Sequence, residues 1–493
     1  MKKLIVMVMV LLVCIPVAVF AEEETMQTDL KVMFDGQEII FSDEQPFTNI
    51  ETPMPDGSTF SAEDNHIQFI PVRAMAETLG YDVSWDEETR TVTVEKGDRV
   101  TTFTLGGGCY VNGVSKACVV NFPNKNGRVF ISQYGACHAF DCVMRWDDIN
   151  RVLYFFSREK YPDGIEWTQN KYLKTDGKYD DLARFNSMSE PAFVIPGLQE
   201  SLVAQGIAYR KDKNQFYVSG YSDFSPSGIA VIDAESGNLV AQYRVLNADG
   251  SKNYAHMGGI AIDGKNLYIS GGSEMQRIPL SAFDLAGDSE YIKIEESIKI
   301  NIGVAVNNSF VEISDGYMWT GNYYDAGKKK YKNKAHENYP VLIRGYKLDP
   351  TQPNGLASEF RVENDKYDYV PEIIYTLESD ERIQGLTTSG GYLFAAASEK
   401  SIPSELRVYD IKKATATEDV ITLGDNINIP VIRLNIEKIV KIPSYAEEVA
   451  AVDGSLYTIF EGATPKFRMA KNKHIADSVW KTDISKLTEI TAE

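Results

Sequence analysis

The sequence is short of basic residues. Its 493 residues include 50 Lys and Arg against 70 Asp and Glu, which gives a formal net charge of −20 at pH 7. Nucleic acid partners are excluded, because their phosphates are met by basic patches on a protein. The motifs G-x-S-x-G and H-E-x-x-H, the phosphate-binding P-loop and the dinucleotide fingerprint are also missing. None of the reactions that depend on these motifs is therefore indicated.

Long apolar runs are absent except at the N-terminus. Lys2 and Lys3 precede the run LIVMVMVLLVCIPVAVF, and a small residue, Ala21, follows it. This pattern predicts a secretory signal peptide over residues 1–21, cleaved near Ala21. No later segment approaches the roughly 18 apolar residues that a membrane span needs. We therefore expect the mature chain to be secreted, extracellular or cell-wall associated, and to lack a transmembrane segment.

Cysteine is also scarce, and one of the five lies inside the predicted signal peptide. The four that remain are Cys109, Cys118, Cys137 and Cys142. An even number in an exported chain predicts two disulfides. One pairing joins Cys109 to Cys118 across a turn and Cys137 to Cys142 locally, but all three connectivities stay open. A metal site that includes His138 beside Cys137 is the alternative.

The first part of the mature chain contains two copies of one pattern. FIPVRAMAETLGYDVSWDEETRTVTV (69–94) aligns without a gap with FISQYGACHAFDCVMRWDDINRVLYF (130–155), and Arg90 matches Arg151. Each copy predicts a short strand, a helix of about two to three turns, and a hairpin that turns at W-D-x-x-x-R.

These residues resemble the stalk domain named from the N-terminus of a copper amine oxidase, over about 30–157. KVMFDGQEIIF, FIPVRAMAETLG, VSWDEETRTVTV and YVNG follow the family pattern, whereas the second copy has Ser-Gln-Tyr at 132–134 where the family has Pro-Leu-Arg. The resemblance implies a small α+β module for attachment or spacing. It does not imply amine oxidation, because T-G-N-Y-Y-D at 320–325 has the wrong spacing for the quinone motif and no His-x-His copper pair exists.

The second part of the chain, 191–490, follows a predicted linker at 158–190 and repeats a hairpin of two strands around a polar turn. These hairpins lie at 205–220, 258–272, 308–322, 384–398 and 447–462. Extended runs before and after them complete units of four strands, which predicts a mainly β fold, a β-propeller of five blades. Six blades is the alternative, with one more in 325–380. The run AFVIPG at 192–197 is predicted to close the ring as the outer strand of the last blade.

Polar residues recur where the innermost strand of each unit begins. They are Gln205, His256, Asn308, Gln384, Glu447 and Glu448. A propeller brings such positions together at one mouth of its central channel, so we predict that they bind a ligand; a ring that only binds water is the alternative. Oxygen ligands from Glu447, Glu448 and Asn308 suit Ca²⁺, which is the candidate cofactor. Four nearby tyrosines are candidates for stacking on a sugar: Tyr221, Tyr323, Tyr324 and Tyr445.

The propeller units resemble exported bacterial propeller proteins in the stretches 205–208, 256–261 and 404–410, and they resemble gluconolactonase-like propellers more weakly. The sequence is accordingly interpreted as an exported binding protein of the cell envelope or extracellular matrix. Its partner is expected to be a cell-wall or extracellular polysaccharide, a wall fragment or a surface protein. The resemblance to lactonases implies the alternative, a metal-dependent hydrolase at the same mouth. Binding is favoured over catalysis, because the predicted ring has fewer acidic ligands than those lactonases; a purely structural assembly surface is a third interpretation.

Overall fold

The computed structural model describes most of residues 30–489. The described residues are 30–49, 52–53, 59–60, 67–105, 108–116, 124–125, 128–147, 151–157, 181–198, 202–222, 226–287, 289, 291–300, 302, 307–329, 333–362, 366–423, 427–464, 467 and 474–489. The predicted signal peptide, Cys118 and residues 158–180 of the predicted linker lie outside them. By its internal contacts the chain divides into two compact units, Met1–Lys31 with Ile39–Phe140, and Val32–Glu38 with Asp141–Glu493.

Residues 30–157 form short strands and two helices. The elements are β1 Lys31–Phe34, β2 Gln37–Glu38, β3 Phe47–Asn49, β4 Thr52–Pro53, β5 Thr59–Phe60, β6 Ile67–Pro71, α1 Val72–Thr78, β7 Asp82–Asp86, β8 Thr91–Lys96, β9 Arg99–Thr104, β10 Cys109–Val111, β11 Val114–Lys116, β12 Asn124–Lys125, β13 Arg128–Ser132, α2 Gln133–Ala139, β14 Cys142–Asp147 and β15 Val152–Ser157. The strand orders are β11-β10-β9-β8-β7, β12-β13-β6-β3, β14-β15-β1-β2 and β4-β5.

The two predicted copies have the same sequence of elements. β6, α1, β7 and β8 of the first copy correspond to β13, α2, β14 and β15 of the second. The turn of each hairpin places its arginine, Arg90 or Arg151, in the left-handed region with φ 53. The predicted strand, helix and hairpin are therefore confirmed in both copies. The departure at 132–134 is accommodated, because the Ser132 side chain accepts a hydrogen bond from Gly135 N and caps α2.

No disulfide is formed among the cysteines that the structure describes. Cys137 lies half-buried on α2, and Cys142 is buried at the first position of β14. The predicted disulfide between Cys137 and Cys142 is not formed. The two cysteines lie on different elements, the helix α2 and the strand β14. Cys109 is buried on β10, and its predicted partner, Cys118, is outside the described residues, so that pairing stays a prediction.

Residues 181–489 are rich in strands. The elements are α3 Ala183–Met188, β16 Ser189–Val194, β17 Val203–Arg210, β18 Gln215–Tyr221, β19 Gly228–Asp233, β20 Leu239–Leu246, β21 Gly259–Ile262, β22 Asn266–Gly271, β23 Glu274–Pro279, α4 Leu280–Ala286, β24 Tyr291–Lys293, β25 Glu296–Lys299, β26 Phe310–Ser314, β27 Tyr317–Gly321, β28 Ile343–Lys347, β29 Ile373–Leu377, β30 Ile383–Ser389, β31 Tyr392–Ala397, β32 Ser404–Asp410, β33 Thr415–Leu423, β34 Ile427–Leu434, β35 Ile436–Ile442, β36 Ala446–Val452, β37 Ser455–Phe460, β38 Ser478–Asp483 and α5 Ile484–Thr488, with 3₁₀ turns at Ser358–Phe360 and Ile411–Lys413.

In the described part of 181–489, these strands form five sheets, which we call blades 1 to 5 and whose first four strands are antiparallel. Their first four strands are β17-β18-β19-β20, β21-β22-β23-β25, β26-β27-β28-β29, β30-β31-β32-β35 and β36-β37-β38-β16. The two inner strands of each blade are one of the predicted hairpins, which are thus confirmed. Where it is described, the stretch 325–380 supplies β28 and β29 to blade 3 and forms no sheet of its own.

The innermost strands close into a ring. β17 contacts β21, β21 contacts β26, β26 contacts β30, β30 contacts β36, and β36 contacts β17. This arrangement is a β-propeller, as predicted. A blade alone leaves its faces open, so adjacent blades supply each other's apolar core. In one such cluster Ile207 of blade 1, Phe394 of blade 4 and Trp480 of blade 5 are packed together with their neighbours.

The last blade is completed by the first strand of the propeller. β16 pairs with β38, so that Phe193 lies opposite Val479 and Val194 opposite Ser478. The predicted closure at 192–197 is confirmed, with the strand beginning three residues earlier. Just before it, α3 places Phe185 against Trp480, with their ring centroids 5.0 Å apart. The end of the predicted linker therefore belongs to the propeller core.

None of the helices in the described ranges has both the length and the apolar character that a bilayer crossing requires.

The closure of the ring predicts a large effect of Trp480→Ala. Trp480 is fully buried on β38 and contacts Phe185, so we expect the free energy of unfolding to fall by about 3 to 5 kcal/mol. Denaturant unfolding of the mature chain, followed by far-ultraviolet circular dichroism, measures this. Tyr254→Ala, at an exposed aromatic, should change the value by less than about 0.5 kcal/mol. An unchanged midpoint for Trp480→Ala would contradict the assignment of β16 and β38 to one sheet.

Candidate functional site

Three innermost strands carry an irregularity at the same level. The register of β17 against β18 shifts at Gln205, that of β30 against β31 at Gln384, and that of β36 against β37 at Glu447 and Glu448. Such β-bulges add an unpaired residue and redirect side chains, and they are enriched beside functional sites. The bulges explain why polar side chains at the start of apolar strands can turn toward the channel.

Side chains from these bulges meet at the end of the propeller axis where the innermost strands begin, and Gln205, Glu447 and Glu461 are buried there. Gln205 Nε2 donates to Glu461 Oε2 at 2.9 Å, and Gln384 Nε2 donates to Glu447 Oε1 at 3.4 Å. Glu447 and Glu461 are themselves hydrogen-bonded through their carboxyl groups. We call these four residues the channel-mouth cluster. Blades 1, 4 and 5 each contribute to it.

The two carboxyl groups of the cluster share a proton. A hydrogen bond between carboxyl oxygens requires a proton on one of them, because two carboxylates repel. Burial raises the pKa of Glu447 well above its usual range, and the neighbouring Glu461 charge raises it further. The raised pKa of Glu447 favours its protonated form, so the pair offers both a hydrogen-bond donor and hydrogen-bond acceptors.

Aromatic and charged side chains border the cluster. Burial raises the pKa of the Tyr323 hydroxyl, and the nearby Asp325 and Glu447 charges add to this; burial and the Glu461 charge raise the pKa of Tyr445. Tyr323 is half-buried, and Tyr445 packs on Phe467 with ring centroids 5.3 Å apart. Two of the four predicted tyrosines therefore lie beside the cluster.

Glu448 lies deeper than predicted. It is fully buried, and its Oε2 accepts hydrogen bonds from Ile207 N of blade 1 at 2.7 Å and from Ile260 N of blade 2 at 3.1 Å. A Cβ at Gly206 would lie 2.9 Å from Glu448 Oε2, and one at Gly259 would lie 2.6 Å from Glu448 Oε1. Glycine is needed at both positions because the carboxyl group approaches the backbone so closely. Glu448 thus fills the channel axis and is not part of the mouth.

Asn308 and His256 are not brought into the cluster. Asn308 Oδ1 accepts from Nη2 of Arg344, a fully buried residue of β28, and Asn308 Nδ2 donates to Gly272 O at 3.2 Å. His256 is exposed, and its ring lies 3.9 Å from that of Tyr221. Of the six predicted residues, Gln205, Gln384 and Glu447 converge.

The candidate Ca²⁺ ligands do not fit a common site. Asn308 is oriented by a guanidinium, Glu448 by backbone amides, and Glu447 by another carboxyl group. In the described part of the chain, no group of three or more His, Cys, Asp or Glu could hold a metal ion.

Glu461 is a member of the cluster that the sequence did not predict. It follows β37, directly after Phe460, which pairs with Ala446 at the start of β36. In a hairpin, the end of the second strand pairs with the start of the first strand. A polar residue directly after β37 therefore lies beside the bulge at the start of β36. Applied to the hairpin 447–462, that rule identifies Glu461.

Two comparisons of sequence bear on the chain. Residues 48–155 match the family described as the copper amine oxidase N-terminal domain. The resemblance of the first domain is thus confirmed over that range. No curated protein sequence matches the chain.

Solved structures with a similar fold have very low sequence identity. The glutaminyl cyclase of Myxococcus xanthus is similar over 60% of this chain and 92% of its own, at 11% identity and a TM-score of 0.32. A putative oxidoreductase (glucose dehydrogenase) of Thermus thermophilus covers 59% of this chain and 98% of its own, at 10% identity and a TM-score of 0.30. The Cps50 β-propeller domain of Myceliophteria thermophila is similar over 57% of this chain and 97% of its own, at 7% identity and a TM-score of 0.28. Similarity at this level says nothing of activity.

The buried carboxyl groups predict that stability falls as the pH rises. Burial raises the pKa of Glu448 well above its usual range, so the folded chain holds a proton that the unfolded chain loses above about pH 4.3. We expect the free energy of unfolding to be higher at about pH 5.5 than at about pH 8. Glu448→Gln retains a carbonyl acceptor and should reduce this difference, as measured by denaturant unfolding at both pH values.

The control for this prediction is Glu190→Gln, which removes an exposed carboxylate and should leave the pH dependence as it is in the unmodified chain. If Glu448→Gln and Glu190→Gln show the same pH dependence, the Glu448 carboxyl is not protonated in the folded state.

Proposed function

We propose that the protein is an exported binding protein of the cell envelope or extracellular matrix, and that its channel-mouth cluster binds a carbohydrate of the cell wall or matrix. The domain that resembles the copper amine oxidase stalk acts as an attachment or spacer module. The single observation that carries the proposal is the convergence of two amides and a proton-sharing carboxyl pair at one end of the propeller axis.

The chemistry of the cluster matches that of sugar hydroxyl groups. A hydroxyl group both donates and accepts hydrogen bonds, and so do an amide and a half-protonated carboxyl pair. One shared proton keeps the cluster from presenting two full negative charges, which suits an uncharged ligand. Tyr323, half-buried beside Glu447, adds a hydroxyl group and an aromatic surface at the same mouth.

The spacing of the carboxyl groups supports binding over glycoside hydrolysis. Glycosidases hold their two carboxyl groups about 5 to 9.5 Å apart, with the scissile bond between them. Glu447 and Glu461 are in direct hydrogen-bond contact, which leaves no room for that bond. The metal-dependent hydrolase receives no support from the candidate Ca²⁺ ligands, which have separate partners.

Export is part of the proposal and has a direct measurement. We expect the chain released by a secreting host to begin at Glu22, since the signal peptide is predicted to end at Ala21. Mass spectrometry of the intact chain reads the new N-terminus. A chain that stays in the cells with Met1 in place would contradict it.

Substitutions in the cluster should weaken carbohydrate binding. We expect Gln205→Ala and Gln384→Ala each to reduce affinity about fivefold, because each removes one hydrogen-bonding group worth about 1 kcal/mol. Titration calorimetry of the full mature chain against soluble peptidoglycan fragments and wall polysaccharides measures this. Gln37→Ala, at an exposed glutamine of β2, is the matched control and should bind as the unmodified chain does.

The same titrations separate binding from catalysis. Each glycan is recovered and examined for new reducing ends after incubation with the chain. Intact glycan together with cluster-dependent binding supports the proposal. Cleavage that Glu461→Gln abolishes would replace it with a hydrolase, and binding that is equal in all variants would place the site elsewhere.

A further inference from the structure

A cavity lies at the end of the propeller axis opposite to the channel-mouth cluster. It has a volume of about 180 Å³ and is lined where β17, β21, β26 and β36 end. Ala208 and Ala261 line it and directly follow Ile207 and Ile260, whose backbone amides bind Glu448. The Glu448 carboxyl group therefore separates this cavity from the channel-mouth cluster.

Glu312 is the buried ionisable group of this cavity. It lies on β26, and its Oε1 accepts a hydrogen bond from Thr387 Oγ1 of blade 4 at 2.6 Å. Burial raises the pKa of the Glu312 carboxyl to about 8, and the charge of Asp315 adds to the effect. An acidic group in so apolar a place is unfavourable unless a ligand or a proton neutralises it.

The other charged groups around Glu312 are mostly acidic. Asp315 lies in the turn after β26, and Asp453 lines the cavity near the Tyr209 ring. Glu448 lies deeper on the axis, where burial raises its pKa and favours the uncharged form. Lys211 is the one cation among the lining residues. Asp453 and Lys211 are exposed, so the cavity reaches solvent on their side. The balance of charge favours a cation over an anion.

The rest of the lining is small and apolar. Ala208, Ala261, Ala450 and Ala451 leave the space open and present methyl groups to it, and Ile262, Ile313 and Val452 extend this surface. A ligand that matches the lining has a short hydrocarbon body and one positive group. Tyr209, which also lines the cavity, offers an aromatic ring for a cation.

We propose that this cavity binds a small primary alkylammonium ion, with its ammonium group on the Glu312 carboxylate and its alkyl chain against the alanines. The site is distinct from the channel-mouth cluster and does not rest on the function proposed for it. An ammonium ion requires Glu312 in its ionised form. Affinity should therefore rise about tenfold per pH unit as the pH approaches about 8, and level off above it.

The test is a titration of the full mature chain with n-butylammonium at pH values on both sides of 8, observed by saturation-transfer nuclear magnetic resonance. Glu312→Gln keeps an acceptor for Thr387 and should lower the affinity at least tenfold and remove its pH dependence. Ala450→Leu fills the cavity and should abolish binding, and it serves if Glu312→Gln does not fold. Glu190→Gln, an exposed acid of β16, is the control and should bind as the unmodified chain does.

Uncharged 1-butanol shows whether charge is recognised. The unmodified chain should bind 1-butanol much more weakly than n-butylammonium. The affinity for 1-butanol should be the same in Glu312→Gln as in the unmodified chain. The proposal is overturned if n-butylammonium does not bind at any of these pH values, or if its affinity is the same in Glu312→Gln or Ala450→Leu as in the unmodified chain.

Discussion

One buried carboxyl group ties the propeller together at its axis. Glu448 comes from the last blade, and its Oε2 accepts backbone hydrogen bonds from the first and second blades. Backbone amides at the axis need an acceptor, because water is excluded there. The glycines at 206 and 259 leave room for that acceptor, and the bulge in β36 delivers it. Blades that are far apart in sequence are thus held at one point.

The position of Glu448 also divides the channel into two environments. On one side, Glu447 and Glu461 share a proton among amide groups, and the mouth is polar and hydrogen-bonding. On the other, Glu312 is buried beside alanines, and the exposed Asp453 and Lys211 line the solvent side of the cavity. A propeller can therefore present different chemistry at its two ends. Each innermost strand runs along the axis, so residues at its beginning and at its end face opposite ends of the channel.

The sequence predicts the strands better than the site. Polar turns, most of them with glycine, predict all five inner hairpins, and the repeat at an interval of 61 residues predicts each strand and helix of the second copy from the first. Gln205, Gln384 and Glu447 were predicted to converge, and they do. Glu448 was placed at the mouth together with Glu447, although adjacent residues of a strand point to opposite faces; the bulge that sets the direction of each side chain has no simple sequence signal. Asn308 was misplaced because its partner, Arg344, arrives from another strand of its own blade.

The closure of the ring by β16 and β38 makes the order of synthesis important. The propeller chain begins and ends in one sheet, so its first strand has no partner until the last one has been made. Contacts between the ends of a long segment form late, and the open edges attract other chains in the meantime. A chain that stops before β38 leaves β16 without its sheet partner, so the fifth blade stays incomplete and the ring stays open. The ring therefore closes only after the last strand has been made.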